Sequence, residues 1–118
     1  MKPFFILFMI TILTMFQINL AFGKNKDRSN KLRAPVTHHV EISNFAFIPE
    51  SIDVAKGDRI VWTNKDSFPH NIVDTDSQEI LSQTLNKGDE FSYIVEQVMN
   101  YECGFHPSMR GIIQLSSP

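Results

Sequence analysis

The chain has 118 residues, of which 42% are hydrophobic and 20% charged, and a net charge of −2. That balance offers no basic footprint for nucleic acid, and a single cysteine excludes an internal disulfide. No internal repeat or low-complexity tract divides the sequence, so one folded domain is expected.

The N-terminus reads as an export signal. Lys2 supplies a positive start, Phe4 to Phe16 form an apolar run, and a more polar tail ends in Ala21-Phe22-Gly23. Small residues at the first and third positions before Lys24 fit a signal-peptidase site, with cleavage after Gly23. The run is short of the roughly 20 residues that a bilayer-spanning helix needs, which disfavours a retained anchor and a stable membrane association. The expected organisation is residues 1–23 as signal peptide, 24–35 as flexible leader and 36–118 as the folded domain, placing the protein in the periplasm or outside the cell. Residues 24–118 carry ten basic and thirteen acidic side chains. A domain of that size buries roughly 60 to 70% of its unfolded surface, enough for one core.

From Val36 the pattern has period two. Val36, His38, Val40 and Ile42 share one face and Thr37, His39 and Glu41 the other, as in a half-buried strand. Phe45 and Phe47 continue the alternation, Pro49 interrupts it, and Ile52 and Val54 resume it up to the turn Lys56-Gly57-Asp58. Arg59 to Thr63 is a β-branched and aromatic strand. The chain is then polar to a bend at Phe68-Pro69, and strand signals return at Asn71 to Val73. Gln78 to Leu85 is expected to form a short helix, followed by the turn Lys87-Gly88-Asp89 and a strand over Glu90 to Val95. Asn100 to Cys103 and Gly111 to Leu115 complete the set, with Asn100 expected in a left-handed conformation. Short strands with turn signals every 8 to 12 residues or so predict an all-β antiparallel sandwich or barrel.

Between the last two strands lies Cys103-Gly104-Phe105-His106-Pro107-Ser108-Met109. A thiol, an imidazole and a thioether three residues apart have metal-ligand spacing, and this donor set completed by a second histidine suits copper. The candidate for that histidine is His70, after the bend at Pro69. Taken singly, Cys103 reads as an inert buried thiol, His106 as a surface histidine, Met109 as a core plug and His70 as a turn residue. Together, with strand ends on both sides and a lone thiol in an oxidising compartment, they favour a metal. Gly104 is expected to take backbone angles closed to other residues, and Pro107 to stiffen the loop. Zinc prefers four strong donors, which a methionine does not supply. A cysteine nucleophile with a histidine base would leave Met109 and His70 unexplained. His38 and His39 fall on opposite strand faces and are expected to be ordinary rim residues.

These segments resemble the cupredoxins, most closely the amicyanin-like and plastocyanin-like branch. The resemblance spans Val40 to Leu115 and rests on Gly57 to Asn64, Pro69-His70-Asn71 and Tyr101 to Gly111. It implies a Greek-key β-sandwich with one type 1 copper held by His70, Cys103 and His106, with Met109 as weak axial donor. It also implies that Asn71 steadies the ligand loop and hydrogen-bonds near the cysteine sulfur. Amicyanins carry proline before the loop histidine where this chain has Phe105, and a glycine turn where it has Val98-Met99-Asn100.

The function that follows is a periplasmic electron carrier, monomeric, passing single electrons between a donor and an acceptor redox protein in transient encounters. Phe68, Pro69, Phe105 and Pro107 are expected to form an apolar patch around His106 at which a partner docks. A copper-delivery protein is the alternative. Three protein ligands and a thioether leave little room for substrate, which counts against an enzyme.

Overall fold

A computed structural model describes residues 33–117. The expected signal peptide and nearly all of the leader lie outside these residues. Eight strands follow in chain order: β1 (Thr37–Ser43), β2 (Ala46–Ile48), β3 (Ser51–Val54), β4 (Arg59–Asn64), β5 (Val73–Asp74), β6 (Glu90–Ile94), β7 (Met99–Glu102) and β8 (Arg110–Leu115). They form two four-stranded sheets in the orders β2-β1-β4-β6 and β3-β8-β7-β5. The connections from β2 to β3, β3 to β4, β4 to β5, β5 to β6 and β6 to β7 each change sheet, giving an all-β Greek-key sandwich. The sheets are mixed, since β1 runs parallel to β4 and β3 parallel to β8. Among the described residues no helix is long and apolar enough to cross a membrane.

Alternation drives this layering. In β1 Val40 and Ile42 are buried while Thr37, His39 and Glu41 face out, and in β4 Ile60, Trp62 and Asn64 turn inward. With Phe47, Val54, Ile72, Leu85, Val95, Met99, Tyr101, Cys103, Met109 and Ile113 they make one core between the sheets. Burying a large apolar side chain contributes about 1.5 to 3 kcal/mol, so this cluster is the main source of stability. Its centre is aromatic: Tyr101 meets Phe47 and Trp62 edge to face, with centroids 4.8 and 5.4 Å away. Burial pushes the Tyr101 phenol up to about 12; the Trp62 indole pulls it down and the Glu50 charge adds to the rise. The indole and phenol polar ends miss hydrogen-bond geometry, and each is buried without a partner.

Asp58 shows why His38 is more than a rim residue. Its carboxylate is 1% exposed and accepts hydrogen bonds from the Val36 and Ala55 N–H groups at 3.0 and 3.2 Å, with His38 Nε2 2.8 Å away. A buried carboxylate is costly unless its oxygens are satisfied. Here Val36 and His38 at the start of β1 and Ala55 after β3 supply the partners, tying the two segments together.

The helix expected over Gln78 to Leu85 does not form. Asp74 Oδ1 accepts from the Asp76 and Ser77 N–H groups, and Gln78 takes a left-handed φ of 61°. The Leu81 and Ser82 N–H groups then donate to Ile72 O, and Ser82 Oγ accepts from Ile72 N–H. Gln78 N–H makes one i to i−4 bond, to Asp74 O, but the Leu81, Ser82 and Leu85 N–H groups go to Ile72 and His70 instead, so no helical ladder is propagated. Asn100 lies in β7; among the described residues the left-handed ones besides Gln78 and two glycines are Asn44 and Phe45 at the β1–β2 turn. Phe45 therefore leaves the strand alternation that its spacing predicts.

Candidate metal centre

Three segments converge at one end of the sandwich. Cys103 follows β7 and Met109 precedes β8, so both are anchored by paired strands, with Glu102 opposite Arg110. The intervening loop closes on itself: Cys103 N–H donates to Met109 O at 3.1 Å, His106 N–H to Cys103 O at 3.2 Å and Met109 N–H to His106 O at 2.9 Å. The Arg110 guanidinium donates to Pro107 O at 3.3 Å and lies 3.8 Å from the Glu102 carboxylate, clasping the loop from outside.

His70 reaches the same place from the β4–β5 connection. Its main chain exchanges two hydrogen bonds with Leu85, at 3.1 and 2.7 Å. The turn before it is built on the buried Asn64, whose amide donates to Phe68 O and Leu85 O and accepts from Asp66 N–H, all at 2.8 Å. The turn in turn presents Asp66, whose carboxylate accepts from Asn44 and Phe45 N–H and lies 3.0 Å from His70 Nε2. Burial pushes the Asp66 carboxyl up, but the Phe45 and Asn44 N–H bonds and His70 outweigh it and hold it below its ordinary value. With Nε2–H donated to Asp66, the His70 lone pair is left on Nδ1, facing inward.

The inward atoms are His70 Nδ1, Cys103 Sγ and His106 Nδ1. Sγ lies 3.6 Å from the first nitrogen and 3.9 Å from the second, and all three ligand atoms fall within 4.8 Å of one another. Metal–nitrogen bonds of about 2.0 Å and metal–sulfur bonds of about 2.3 Å, opened at tetrahedral to trigonal angles, put a nitrogen and a sulfur donor about 3.5 to 3.7 Å apart. The two sulfur–nitrogen spacings lie at or near that range, so the three side chains form a candidate ligand group for one ion. Cys103 and His70 are fully buried and His106 is half-buried. Met109, 3% exposed, ends the loop, its main chain bonded to Cys103 and His106. A cysteine sulfur and two imidazoles are soft and borderline donors, the chemistry that suits copper. Among the described residues this is the sole cluster of three or more histidine, cysteine or carboxylate groups close enough to hold a metal.

Asn71 steadies the loop as the resemblance implies. Its Oδ1 accepts from Gly104 N–H at 2.6 Å and lies 3.8 Å from Cys103 Sγ. Gly104 owes its place to this approach: a Cβ there would fall 3.0 Å from Asn71 Oδ1 and 3.1 Å from Val73 Cγ2, and its φ is not in the left-handed region. Replacing Asn71 with Ala is expected to lower stability by about 1 to 2 kcal/mol by stranding that N–H. Hydrogen exchange at the Gly104 amide checks it, with markedly faster exchange expected in the variant.

Two contributors escaped the sequence reading. Asp66 had a legible signal, a carboxylate four residues before the histidine. Phe45 had none, because its place depends on the backbone twist of its turn. Its ring meets His70 and His106 edge to face, at centroid distances of 5.4 and 5.0 Å. Phe68 and Phe105, two of the rings expected in the apolar rim, are 56% and 50% exposed, and Phe45 meets both Phe68 and the His106 imidazole.

The profile of copper binding proteins of the plastocyanin/azurin family matches residues 34–116. A plastocyanin of Capsella bursa-pastoris is 46% identical over 39 residues, which are 33% of this chain and 38% of that protein. A copper-containing nitrite reductase of Thermus scotoductus superposes with a TM-score of 0.61 at 26% identity over 71% of this chain; the chain spans only 23% of that enzyme. A purple cupredoxin of Nitrosopumilus maritimus, with a TM-score of 0.58 and 32% identity, is covered over 98% of its length by 66% of this chain. A reduced amicyanin in which a proline is replaced by phenylalanine gives a TM-score of 0.60 at 25% identity, covering 70% of this chain and 83% of that one. With the family profile matched over most of its length and a His₂Cys cluster at the end of a cupredoxin-like sandwich, the chain belongs to the plastocyanin/azurin family of copper-binding proteins.

Proposed function

We propose that this protein is an exported electron carrier, in which His70, Cys103 and His106 hold one type 1 copper ion and Met109 is the weak axial donor. The observation that carries the reading is the donor set: Cys103 Sγ stands 3.6 and 3.9 Å from two histidine Nδ1 atoms, in a loop closed at its base by its own main chain. Copper in such a site supplies a one-electron couple between Cu(I) and Cu(II). The protein's part is to hold the donors still. Strand ends fix Cys103 and Met109, Leu85 and Asp66 fix His70, and ligands locked by packing and hydrogen bonds rearrange little when the charge changes.

Electrons pass through the half-buried edge of His106. The surrounding rings of Phe45, Phe68 and Phe105 exclude water and offer an apolar face to a redox protein, donor or acceptor, in short-lived encounters. The carrier works as a monomer in the periplasm or outside the cell, directed there by residues 1–23, with 24–35 as a leader to the copper domain of 36–118. Four protein donors leave no open position for a substrate, so the protein is a carrier and not an enzyme.

Voltammetry of the copper-loaded protein tests this. A reversible one-electron wave is expected, with copper retained through repeated cycles in the presence of a Cu(I) chelator. An irreversible wave, with copper handed to the chelator on reduction, would instead make the metal a cargo.

A further inference from the structure

The β1–β2 hairpin turns through two residues, Asn44 and Phe45, between the paired Ser43 and Ala46. Their φ angles are 52° and 56°. A two-residue turn of this hand needs positive φ at both positions, and Asn-Gly is the usual solution. Asparagine suits the first position. A phenylalanine at the second is a genuine outlier, and strained backbone of this kind persists only where its surroundings enforce it.

Two restraints enforce it here. The Asp66 carboxylate accepts hydrogen bonds from both turn N–H groups, at 2.7 and 2.9 Å, and the same carboxylate lies 3.0 Å from His70 Nε2. The Phe45 ring then stands edge on to both imidazoles, at interplanar angles of 85°, and leans on Phe68 with centroids 5.1 Å apart. The ring remains 42% exposed, so core burial does not account for the strained turn. What the turn achieves is the placement of one ring against two candidate ligands.

The two histidines differ in what orients them. His70 has its Nε2 fixed by Asp66. Among the described residues no hydrogen bond does the same for the His106 ring, whose nitrogen contact is with Cys103 Sγ at 3.9 Å. The structure assigns this task to Phe45: we propose that it is a positioning residue of the metal centre, its ring bracing the His106 imidazole with Nδ1 toward Cys103. This rests on the ligand assignment made above. A glycine at position 45 would satisfy the turn and lose the brace, so backbone strain and ligand bracing separate in one variant.

The test compares wild type, Phe45→Gly, Phe45→Ala and Phe45→Tyr, each as the full domain with Cu(II). Phe45→Gly is expected to melt no lower than Phe45→Ala without metal, because glycine accepts the turn. Both are expected to lose copper to excess EDTA about tenfold or more faster than wild type, the usual scale for groups that orient a ligand. Phe45→Tyr is expected to restore retention. In the metal-free proteins the His106 ring resonances should be sharp in wild type and Phe45→Tyr, and exchange-broadened in Phe45→Gly and Phe45→Ala. Wild-type copper retention and unchanged His106 resonances in Phe45→Gly would overturn the proposal. Failure of the ligand assignment has a different signature: His106→Ala would then hold copper as well as wild type, while the metal-free His106 resonances would still judge the brace.

Discussion

Replacing Cys103 with Ser is expected to abolish the intense visible band of the copper-loaded protein while leaving the metal-free fold in place. Cys103 is fully buried, and serine differs from it mainly in a smaller, more polar atom. Without copper the change costs about 1 to 2 kcal/mol, the scale of burying a hydroxyl with incomplete hydrogen bonding. With copper the loss is larger, because a thiolate donor becomes a neutral hydroxyl in a site that excludes water. A ligand present at a thousand times its dissociation constant stabilises a protein by about 4 kcal/mol. For a domain of this size that is roughly 15 to 30 °C in melting temperature. The wild type should show a copper-induced shift on that scale and Cys103→Ser only a few degrees. Parallel melts with and without Cu(II), with the visible spectrum recorded on the same samples, check both parts. A variant that kept its colour and its shift would remove Cys103 from the site.

Gly111→Ala is expected to be the most damaging single methyl group in the fold. Gly111 lies in β8 directly opposite Tyr101 in β7. A Cβ there would come within 2.8 Å of Tyr101 Cε1 and closer still to Cζ and the hydroxyl. The ring cannot yield easily, being fully buried between Phe47 and Trp62. Overpacking a rigid core costs typically 1 to 3 kcal/mol, and a clash with an enclosed ring belongs at about 3. The melting temperature should fall by roughly 12 to 24 °C. Because Tyr101 stands two residues before Cys103, in the strand that leads into it, the copper spectrum of any folded fraction should broaden as well. A drop of only a few degrees would mean that β7 and β8 slide apart at little cost, against the packing described here.

The contrast between legible and hidden parts has a physical origin. Alternation in Thr37 to Ser43 and Arg59 to Asn64 located β1 and β4 because each strand buries one face, and a period of two follows directly. Cys103, His106 and Met109 were legible because their spacing is local and one tight loop brings them together. His70 is 33 residues from Cys103, and proline, histidine and asparagine in a polar turn made it the natural fourth candidate. Three things were not carried by local pattern. Gln78 to Leu85 has the composition of a short helix, yet its Leu81, Ser82 and Leu85 donors are taken by Ile72 and His70, which only the fold supplies. The parallel pairings of β1 with β4 and β3 with β8 depend on connections that cross between sheets. Phe45 looked like one more residue of an alternating strand, and only the two-residue turn at Asn44-Phe45 brings its ring to the His70 and His106 imidazoles. Gly104 was singled out correctly, though its reason is the nearness of Asn71 and not an unusual φ.

The most direct measurement is a crystal structure of the copper-loaded protein with anomalous data collected on both sides of the copper edge. One anomalous peak is predicted, bonded to His70 Nδ1, Cys103 Sγ and His106 Nδ1, with the Met109 sulfur at a longer distance on the axis. A peak bound through the outer Nε2 atoms, or at His38 or His39 with Cys103 left free, would contradict the account.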